Sequence, residues 1–330
     1  MEKVVVSSML YDESSRCVQI LRDYGFDVRL LGNQEFSDGF STEEESINLL
    51  QGVSAVVAAG ERYTENVFSA LPDLKVVARL GVGFDRVDME AATKYGVAVT
   101  ITPNANHESV AEHSMTLMLA VARRVLKLDR AVRERNWIRE AGLPVRGSTL
   151  GIVGLGRIGR SLALRAIGMR MNVVATEPMP DREFVDRQGI KLLELDDLLG
   201  VSDFVSLNLP LSEKTTGLID AGKIAKFKKG AVLVNSSRGG IVVESELAQA
   251  LKSGHISGAG LDVFENELTD KENPLFDLDN VVLSPHVAGN DTLAIQNMSI
   301  DAAQYIIDLH EGKWPYEAVI NGDVRTQWRW

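Results

Sequence analysis

The sequence predicts an α/β fold with two doubly wound parallel-sheet domains. Short β-branched, apolar runs alternate with longer stretches of helical periodicity, which is typical of parallel sheets covered by helices. Each run is almost continuously hydrophobic, as expected of strands that are buried on both faces. The chain has 330 residues. At roughly 150 residues per domain, that length allows two such domains.

Two sets of strands follow one another along the chain, which indicates two sheets. The first set is predicted at Val4–Val6, Val28–Leu31, Ala55–Ala58, Lys75–Arg79 and Val97–Ile101. The second set is predicted at Thr149–Val153, Val173–Thr176, Phe204–Leu207, Ala231–Val234, Gly258–Leu261 and Val281–Leu283. Helical patterns lie between the strands, for example at Glu13–Tyr24 and Met89–Tyr95.

Longer helical stretches separate and follow the two strand sets. One runs from Glu108 to about Arg135, and Ser109 with Glu112 has the spacing of a helix-start capping box. Another is predicted over Asp291–His310, and glycine and proline follow it, as they do at many helix ends. The tail from Arg325 onwards is predicted to be a surface strand or a frayed end.

Composition and charge exclude several classes of function. The net charge of −11, with no basic stretch, argues against nucleic-acid binding, which requires cations to neutralise phosphates. No run approaches the ~20 apolar residues that span a bilayer, and the N-terminal apolar run is too short for a signal peptide. Cys17 is the only cysteine, which fits a reducing compartment, and the five histidines are scattered. We therefore expect a cytoplasmic protein without a metal site.

A glycine-rich turn follows the first strand of the second set. Gly154, Gly156 and Gly159 form the pattern G-x-G-x-x-G between that strand and a predicted helix. The first glycine permits a tight turn, the second lets a pyrophosphate approach the backbone, and the third lets helix and strand pack closely. The helix begins near Arg157 and Ile158, where its N-terminal amides can bind phosphates. The pattern predicts a dinucleotide site.

Glu177 ends the next strand, where a carboxylate can accept hydrogen bonds from the adenosine ribose hydroxyls. The same carboxylate would repel a 2′-phosphate. The sequence therefore favours NAD over NADP as cofactor, although the nearby Arg182 leaves NADP open.

Three later strands end in polar residues. Arg238 follows one strand, Asp262 and Glu267 follow the next, and His286 follows the last. Ligands of open α/β sheets bind outside the carboxyl ends of the strands. A single residue of this kind is commonly structural, but an arginine, two acids and a histidine at one edge indicate a catalytic site.

Together these motifs resemble the D-isomer-specific 2-hydroxyacid dehydrogenases, a family that includes phosphoglycerate dehydrogenases and glyoxylate and hydroxypyruvate reductases. The resemblance rests on the glycine turn, Asn208-Leu-Pro-Leu, Ser237-Arg-Gly-Gly, Leu261-Asp-Val-Phe-Glu-x-Glu267, Ser284-Pro-His286, Arg79-Leu-Gly-Val-Gly-Phe-Asp85 and Asn106-x-Glu-Ser-Val-Ala-Glu112. It covers nearly the whole chain. It implies a Rossmann NAD-binding domain at 104–286, inserted in a flavodoxin-like substrate domain at 1–103 and 287–330.

The resemblance also implies roles for individual residues. His286 would give a proton to the substrate carbonyl, and Glu267 would orient the imidazole and favour its protonated form. Arg238 would bind the substrate carboxylate with its planar guanidinium. Asp262 would hold the nicotinamide end of the cofactor. Further positions that line the cofactor in this family are Asn208, Leu209, Pro210, Thr215, Ser236, Ser237 and Gly289, together with Arg238 and His286.

Four residues bear on the substrate. The backbone amides of Val82 and Gly83 match the family's carboxylate cradle. Arg79 and Arg139 match arginines that phosphoglycerate dehydrogenases place on the distal end of the substrate, but Ala58 stands where those enzymes carry another arginine. Both arginines are equally consistent with solvated surface charge.

The sequence thus predicts an NAD-dependent oxidoreductase that interconverts a small D-2-hydroxy acid and its 2-keto acid, with hydroxypyruvate- or glyoxylate-type substrates favoured. Its partners would be that small molecule and a second copy of the chain, joined through the nucleotide-binding domain. A 3-phosphoglycerate dehydrogenase and a non-enzymatic, corepressor-like NAD sensor remain as alternatives. Asn104 and Leu268 replace a glycine and a proline common in the family, with no predicted effect.

Overall fold

The computed structural model describes residues 1–267 and 272–330, and Leu268 therefore lies outside the described residues. The chain divides into two compact units, Met1–Asn106 with Asn290–Trp330, and His107–Gly289. The predicted domain boundaries lie three residues earlier at both crossings between units. None of the helices in the described residues is both long and apolar enough to span a lipid bilayer.

The regular elements alternate along the chain as the sequence predicts. The strands are β1 (Lys3–Val6), β2 (Asp27–Leu30), β3 (Ala55–Ala58), β4 (Val76–Arg79), β5 (Ala98–Thr100), β6 (Thr149–Val153), β7 (Asn172–Thr176), β8 (Lys191–Leu192), β9 (Phe204–Leu207), β10 (Ala231–Asn235), β11 (Ile256–Leu261) and β12 (Val281–Leu283). The helices are α1 (Arg16–Tyr24), α2 (Gln34–Ser37), α3 (Glu43–Leu50), α4 (Glu65–Ala70), α5 (Met89–Lys94), α6 (His107–Ala122), α7 (Val125–Arg133), α8 (Arg157–Gly168), α9 (Arg182–Gln188), α10 (Leu195–Val201), α11 (Ala221–Ile224), α12 (Glu244–Ser253) and α13 (Thr292–His310). Two 3₁₀ turns occupy Gly239–Ile241 and Gly322–Thr326.

The first unit contains a parallel sheet in the order β2-β1-β3-β4-β5, which is the flavodoxin-like order. Apolar side chains cover both faces of this sheet. One face packs against α1 and α13, for example through Val4 and Ile306. The other packs against α3, α4 and α5, for example through Val77 and Phe68. The burial of both faces explains the continuous hydrophobic runs in the sequence.

The second unit contains a parallel sheet in the order β12-β11-β10-β9-β6-β7-β8. Counted from its own first strand, β6, this is the Rossmann order with one additional strand. The order reverses between β6 and β9, and ligands of such sheets bind at that point. The prediction of two doubly wound α/β domains is therefore confirmed. The short edge strand β8 was not predicted, because two residues carry no periodic signal.

The helical stretch predicted from Glu108 to Arg135 is two helices, since Arg124 adopts a left-handed backbone with φ 52° between α6 and α7. The predicted capping box is wrong. The helix already begins at His107, and the hydroxyl of Ser109 donates to the carbonyl of Ala288 at 2.8 Å. A tertiary contact therefore replaces the local cap.

The C-terminal tail is neither a strand nor frayed. It forms the second 3₁₀ turn, and the indole of Trp328 then packs into the apolar layer that α1 and α13 share. Its Nε1 donates to the carbonyl of Lys75 at 3.2 Å. The tail therefore belongs to the core of the first unit.

Candidate active site

The parallel register of the second sheet aligns the ends of three strands. Asn235 at the end of β10 pairs with Leu261 of β11, which pairs with Leu283 of β12. The predicted residues Arg238, Asp262 and His286 follow these strand ends directly. The fold therefore places these three residues at one edge of one sheet, as the sequence predicts.

His286 and Glu267 form a direct pair. The imidazole Nδ1 lies 2.8 Å from Oε1 of Glu267, and 46% of the His286 side chain is exposed. Because Nδ1 faces the carboxylate, Nε2 is the ring nitrogen available for proton transfer. His286 has a left-handed backbone with φ 54°, a conformation rare outside glycine. Strained backbones of this kind cluster at functional sites.

Asp262 holds the loop that carries His286. Its carboxylate is completely buried and accepts hydrogen bonds from Ser284 Oγ at 2.6 Å and from the amides of Val287 and Ala288 at 3.0 and 2.8 Å. Its backbone carbonyl accepts the N–H of His286 at 2.8 Å. Burial raises the pKa of Asp262, but the hydrogen-bond donors outweigh burial and leave the pKa below its usual value. The carboxylate thus fixes the chain on both sides of His286.

His113 also contacts Ser284 and Asp262, and no sequence motif predicts this contact. Its Nε2 lies 2.8 Å from Ser284 Oγ and 3.4 Å from Asp262 Oδ1. The histidine projects from α6, far away in the sequence. No local motif links it to the Ser-Pro-His segment, and only the packing of α6 against the sheet brings them together.

The loop after β10 positions Arg238. The side-chain amide of Asn235 donates to the carbonyl of Arg238 at 2.9 Å, and Arg238 Nη1 donates to the carbonyl of Ser237 at 2.7 Å. A Cβ at Gly239 would overlap the backbone carbonyl of Phe264. The Arg238 loop therefore packs directly against the loop that carries Glu267, and only glycine fits at their contact.

A second set of buried polar contacts holds the loop of Glu267. Glu244 and Glu265 each accept the other's backbone N–H, at 2.7 Å for the Glu265 amide and 3.0 Å for the Glu244 amide. Asn273 also donates to Glu244, at 2.5 Å. Glu244 had no sequence signal, because a glutamate in the first turn of a helix is ordinarily a surface residue favoured by the helix dipole.

The glycine turn has the geometry that a dinucleotide requires. Gly154 has φ 95°, and a Cβ there would overlap the carbonyl of Asn208, whereas a Cβ at Gly159 would overlap the carbonyl of Gly154. At Gly156, among the described residues other than its two chain neighbours, no atom lies within 4 Å of a Cβ position, which leaves room for a phosphate. The amides of Arg157 and Ile158 begin α8 beside this space. The residues present fit the pyrophosphate of NAD.

Glu177 lies beyond the end of β7 and closes the glycine turn. Its Oε2 accepts the amide of Leu155 at 2.9 Å, and its Oε1 accepts the amide of Met179 at 3.1 Å. The carboxylate is therefore fixed next to the turn. Remaining lone pairs on the same oxygens can accept ribose hydroxyls.

The other predicted cofactor residues lie in loops at the carboxyl ends of β9, β10 and β12. Asn208 carries a buried side-chain oxygen without a hydrogen-bond donor among the described residues, which leaves an acceptor for a ligand. The hydroxyl of Thr215 donates to the carbonyl of Pro210 at 2.7 Å and fixes the loop. The same loops contain Leu209, Ser236, Ser237 and Gly289.

The predicted substrate residues occupy different places. Arg79, Val82 and Gly83 belong to the first unit, at the end of β4 and in the turn that follows. Arg139 belongs to the second unit and is exposed in an irregular segment after α7. In the part of the chain that the structure describes, no three His, Cys, Asp or Glu side chains are grouped so as to hold a metal ion.

Several known proteins are similar to this chain in sequence. Residues 115–288 match the family described as "D-isomer specific 2-hydroxyacid dehydrogenase, NAD binding domain". A D-3-phosphoglycerate dehydrogenase of Archaeoglobus fulgidus is 37% identical over 94% of this chain and 58% of its own length. A glyoxylate reductase of Korarchaeum cryptofilum is 42% identical over 79% of this chain and 80% of its own length. The chain thus spans little more than half of the phosphoglycerate dehydrogenase.

A solved structure shares the fold. The D-lactate dehydrogenase from Aquifex aeolicus, complexed with NAD and lactic acid, superimposes with a TM-score of 0.85 at 25% identity, over 97% of this chain and 99% of its own. The family model covers the glycine turn, Arg238, Glu267 and His286, and so the similarity includes the strand-end residues described above.

Proposed function

Because the chain belongs to the D-isomer specific 2-hydroxyacid dehydrogenases and carries their NAD-binding domain, we propose that it is an NAD-dependent dehydrogenase of a small D-2-hydroxy acid. In the reverse direction it would reduce the corresponding 2-keto acid. The 2.8 Å contact between His286 and Glu267 at the sheet edge is the observation that carries the proposal.

His286 acts as the acid–base group. In reduction its Nε2 gives a proton to the carbonyl oxygen of the substrate, and in oxidation it takes the hydroxyl proton. Glu267 holds the ring by Nδ1 and stabilises the imidazolium by its charge. Asp262 and His113 act as positioning residues, because they hold the loop on either side of the histidine.

Arg238 binds the substrate carboxylate and polarises the carbonyl next to it, since a guanidinium keeps its charge and can donate two parallel hydrogen bonds. In the first unit, the resemblance assigns carboxylate binding to the amides of Val82 and Gly83. Among the described residues no group accepts a hydrogen bond from either amide, which leaves both available. We assign Arg139 no role in substrate binding, because its side chain is exposed in an irregular segment.

NAD, when bound, supplies the hydride acceptor or donor of the reaction. Gly154, Gly156 and the first amides of α8 hold its pyrophosphate. Glu177 binds the adenosine ribose and disfavours a 2′-phosphate by its charge. We therefore expect NADH to be used in preference to NADPH.

Hydroxypyruvate or glyoxylate is the proposed 2-keto substrate. The test follows NADH consumption with glyoxylate, hydroxypyruvate, 3-phosphohydroxypyruvate, pyruvate and larger 2-keto acids, and repeats the best substrate with NADPH. We expect turnover on the small unphosphorylated acids. NADH binding without turnover on any of them would contradict the proposal and favour an NAD-sensing protein.

We also propose a homodimer formed through the second unit. Helix α7 and the segment after it expose large apolar side chains, namely Val125, Leu126, Val132 and Trp137, of which Trp137 is 75% exposed. A cluster of this kind is typical of an interaction surface. Sedimentation of the wild type and of Trp137→Glu tests this, and a monomeric wild type would refute it.

We propose the cytoplasm as the compartment in which the protein acts. The single thiol, Cys17, is buried and cannot form an internal disulfide. Detection of the protein in an extracellular fraction would contradict this assignment.

A further inference from the structure

Arg79 is buried in an ion pair with Glu61. Arg79 Nη1 lies 3.6 Å from Glu61 Oε2, and the two side chains are 8% and 1% exposed. The pairing follows from the sheet, because Arg79 ends β4 and pairs in register with Ala58 at the end of β3, three residues before Glu61. Neither oxygen of Glu61 has a hydrogen-bond donor in the described part of the chain, so the guanidinium supplies the charge that balances it.

The same guanidinium holds the turn that follows β4. Arg79 Nε donates to the carbonyl of Gly83 at 3.2 Å. Gly81, with φ 96°, is held from the other side, because its amide donates to Thr102 Oγ1 at 2.8 Å and its carbonyl accepts the amide of Thr102 at 2.9 Å. The amides of Val82 and Gly83 are thereby fixed in orientation.

These contacts are difficult to combine with phosphate binding by Arg79. An arginine that binds a phosphate must present its guanidinium to the ligand, whereas this one is buried and directed at Glu61 and Gly83. Burial raises the pKa of Glu61 above its usual value, and the Arg79 charge opposes part of that rise. The guanidinium itself keeps its charge, because arginine is not deprotonated in proteins. Ala58, in register with Arg79, adds no second cation.

We propose that Glu61 and Arg79 form a positioning and selectivity pair, in which Arg79 orients the carboxylate-binding turn and Glu61 withholds its charge from the distal end of the substrate. This inference rests on the proposed function and narrows its substrate class to unphosphorylated 2-keto acids. It assigns Arg79 a different role from the one implied by the resemblance.

The first test compares kcat/KM for hydroxypyruvate and 3-phosphohydroxypyruvate. The wild type should favour hydroxypyruvate by at least about tenfold. Glu61→Gln should reduce this preference by about tenfold, because the guanidinium loses the carboxylate that faces it at 3.6 Å. The matched control is Glu65→Gln in the same unit, which breaks the exposed pair with Lys94 and should leave the preference unchanged.

The second test uses glyoxylate, which has no distal group. Arg79→Gln should raise KM for glyoxylate and hydroxypyruvate alike, by about tenfold, and change kcat little, because the turn that binds the carboxylate loses its support. If Arg79 had a merely structural role, the yield of folded enzyme would fall, but KM would not rise while kcat stayed nearly constant. Circular dichroism of each variant checks the fold.

The outcomes separate this inference from the proposed function. Absence of turnover on every keto acid would refute the proposed function itself. The wild type could instead turn over and prefer the phosphorylated acid, and Arg79→Gln could lose that preference selectively. That result would overturn this inference and leave the proposed function intact. The wild-type preference requires no variant, and so the inference remains testable even if Glu61→Gln does not fold.

Discussion

The buried carboxylate of Asp262 accepts the backbone N–H of Ala288 at 2.8 Å, two residues beyond His286. Together with the bond from the His286 amide to the Asp262 carbonyl, this contact fixes the strained backbone of the histidine from both sides. The position of the His286 imidazole therefore depends on a side chain that has no exposed surface.

Replacement of His286 by alanine should abolish turnover and leave NADH binding within about twofold of wild type, because the imidazole moves the proton but does not hold the pyrophosphate. Steady-state rates and NADH fluorescence titration measure the two effects. The control is His255→Ala, a change of the same kind at a histidine whose ring lies 2.9 Å from the carbonyl oxygen of Ile224. Retention of activity in His286→Ala would remove the histidine from the mechanism.

Replacement of Glu267 by glutamine keeps an oxygen near Nδ1 but removes the negative charge that stabilises the imidazolium. The reduction rate should fall by about 10- to 100-fold. Steady-state rates in both directions measure this. An unchanged rate would show that the charge of Glu267 is not required.

Gly239→Ala should separate the Arg238 loop from the loop of Glu267. Its Cβ would overlap the carbonyl of Phe264, and the backbone must move to accommodate it. We expect a loss of stability of about 2–4 kcal/mol and a large loss of kcat. The neighbouring Gly240→Ala is the control, since its Cβ would meet only the methyl groups of Leu211, at 3.4 Å or more. Urea unfolding and initial rates test both, and equal behaviour of the two variants would refute the prediction.

Asp262→Asn should change the acid dependence of stability. The pKa of Asp262 is lowered in the folded protein, whereas an unfolded aspartate has a pKa of about 3.9. A lowered pKa stabilises the folded state above the unfolded value, and this contribution disappears as pH falls through the folded value. The variant should therefore be less stable at neutral pH, by about 1–3 kcal/mol, and lose less stability on acidification.

Urea unfolding at several values of pH measures this difference. Asp186→Asn, at an exposed position of α9, serves as its control and should follow the wild type. Parallel loss of stability in Asp262→Asn and wild type across the acid range would contradict the assigned pKa direction.

The parts of the fold that the sequence predicts are those with local signals. The strand runs, the glycine turn and the polar residues at strand ends all have defined spacings, and parallel topology alone brings Arg238, Asp262 and His286 to one edge. The periodic pattern also predicts α13, whose N-cap is Asp291. Local propensity and tertiary structure agree at these positions.

The features that could not be predicted depend on contacts between distant segments. Ser109 has the spacing of a cap but donates to Ala288 instead. His113 and Glu244 carry no motif, and the partner of Arg79 is set by the alignment of β3 with β4. The sequence of a family motif does not specify whether its arginine faces a ligand or a buried carboxylate. Only the packed structure distinguishes these two arrangements.

Helix α13 imposes an order on synthesis. It covers one face of the first sheet with Ala302, Ala303 and Ile306, yet it is translated after residues 107–289. While the ribosome makes those residues, strands β1 to β5 are already complete, and the part of that apolar face that α13 later covers has no helix on it. Exposed apolar surface and unpaired strand edges invite aggregation of a nascent chain. We therefore expect the first unit to mature last, although its strands emerge first, and chaperones to engage it while the second unit is being made.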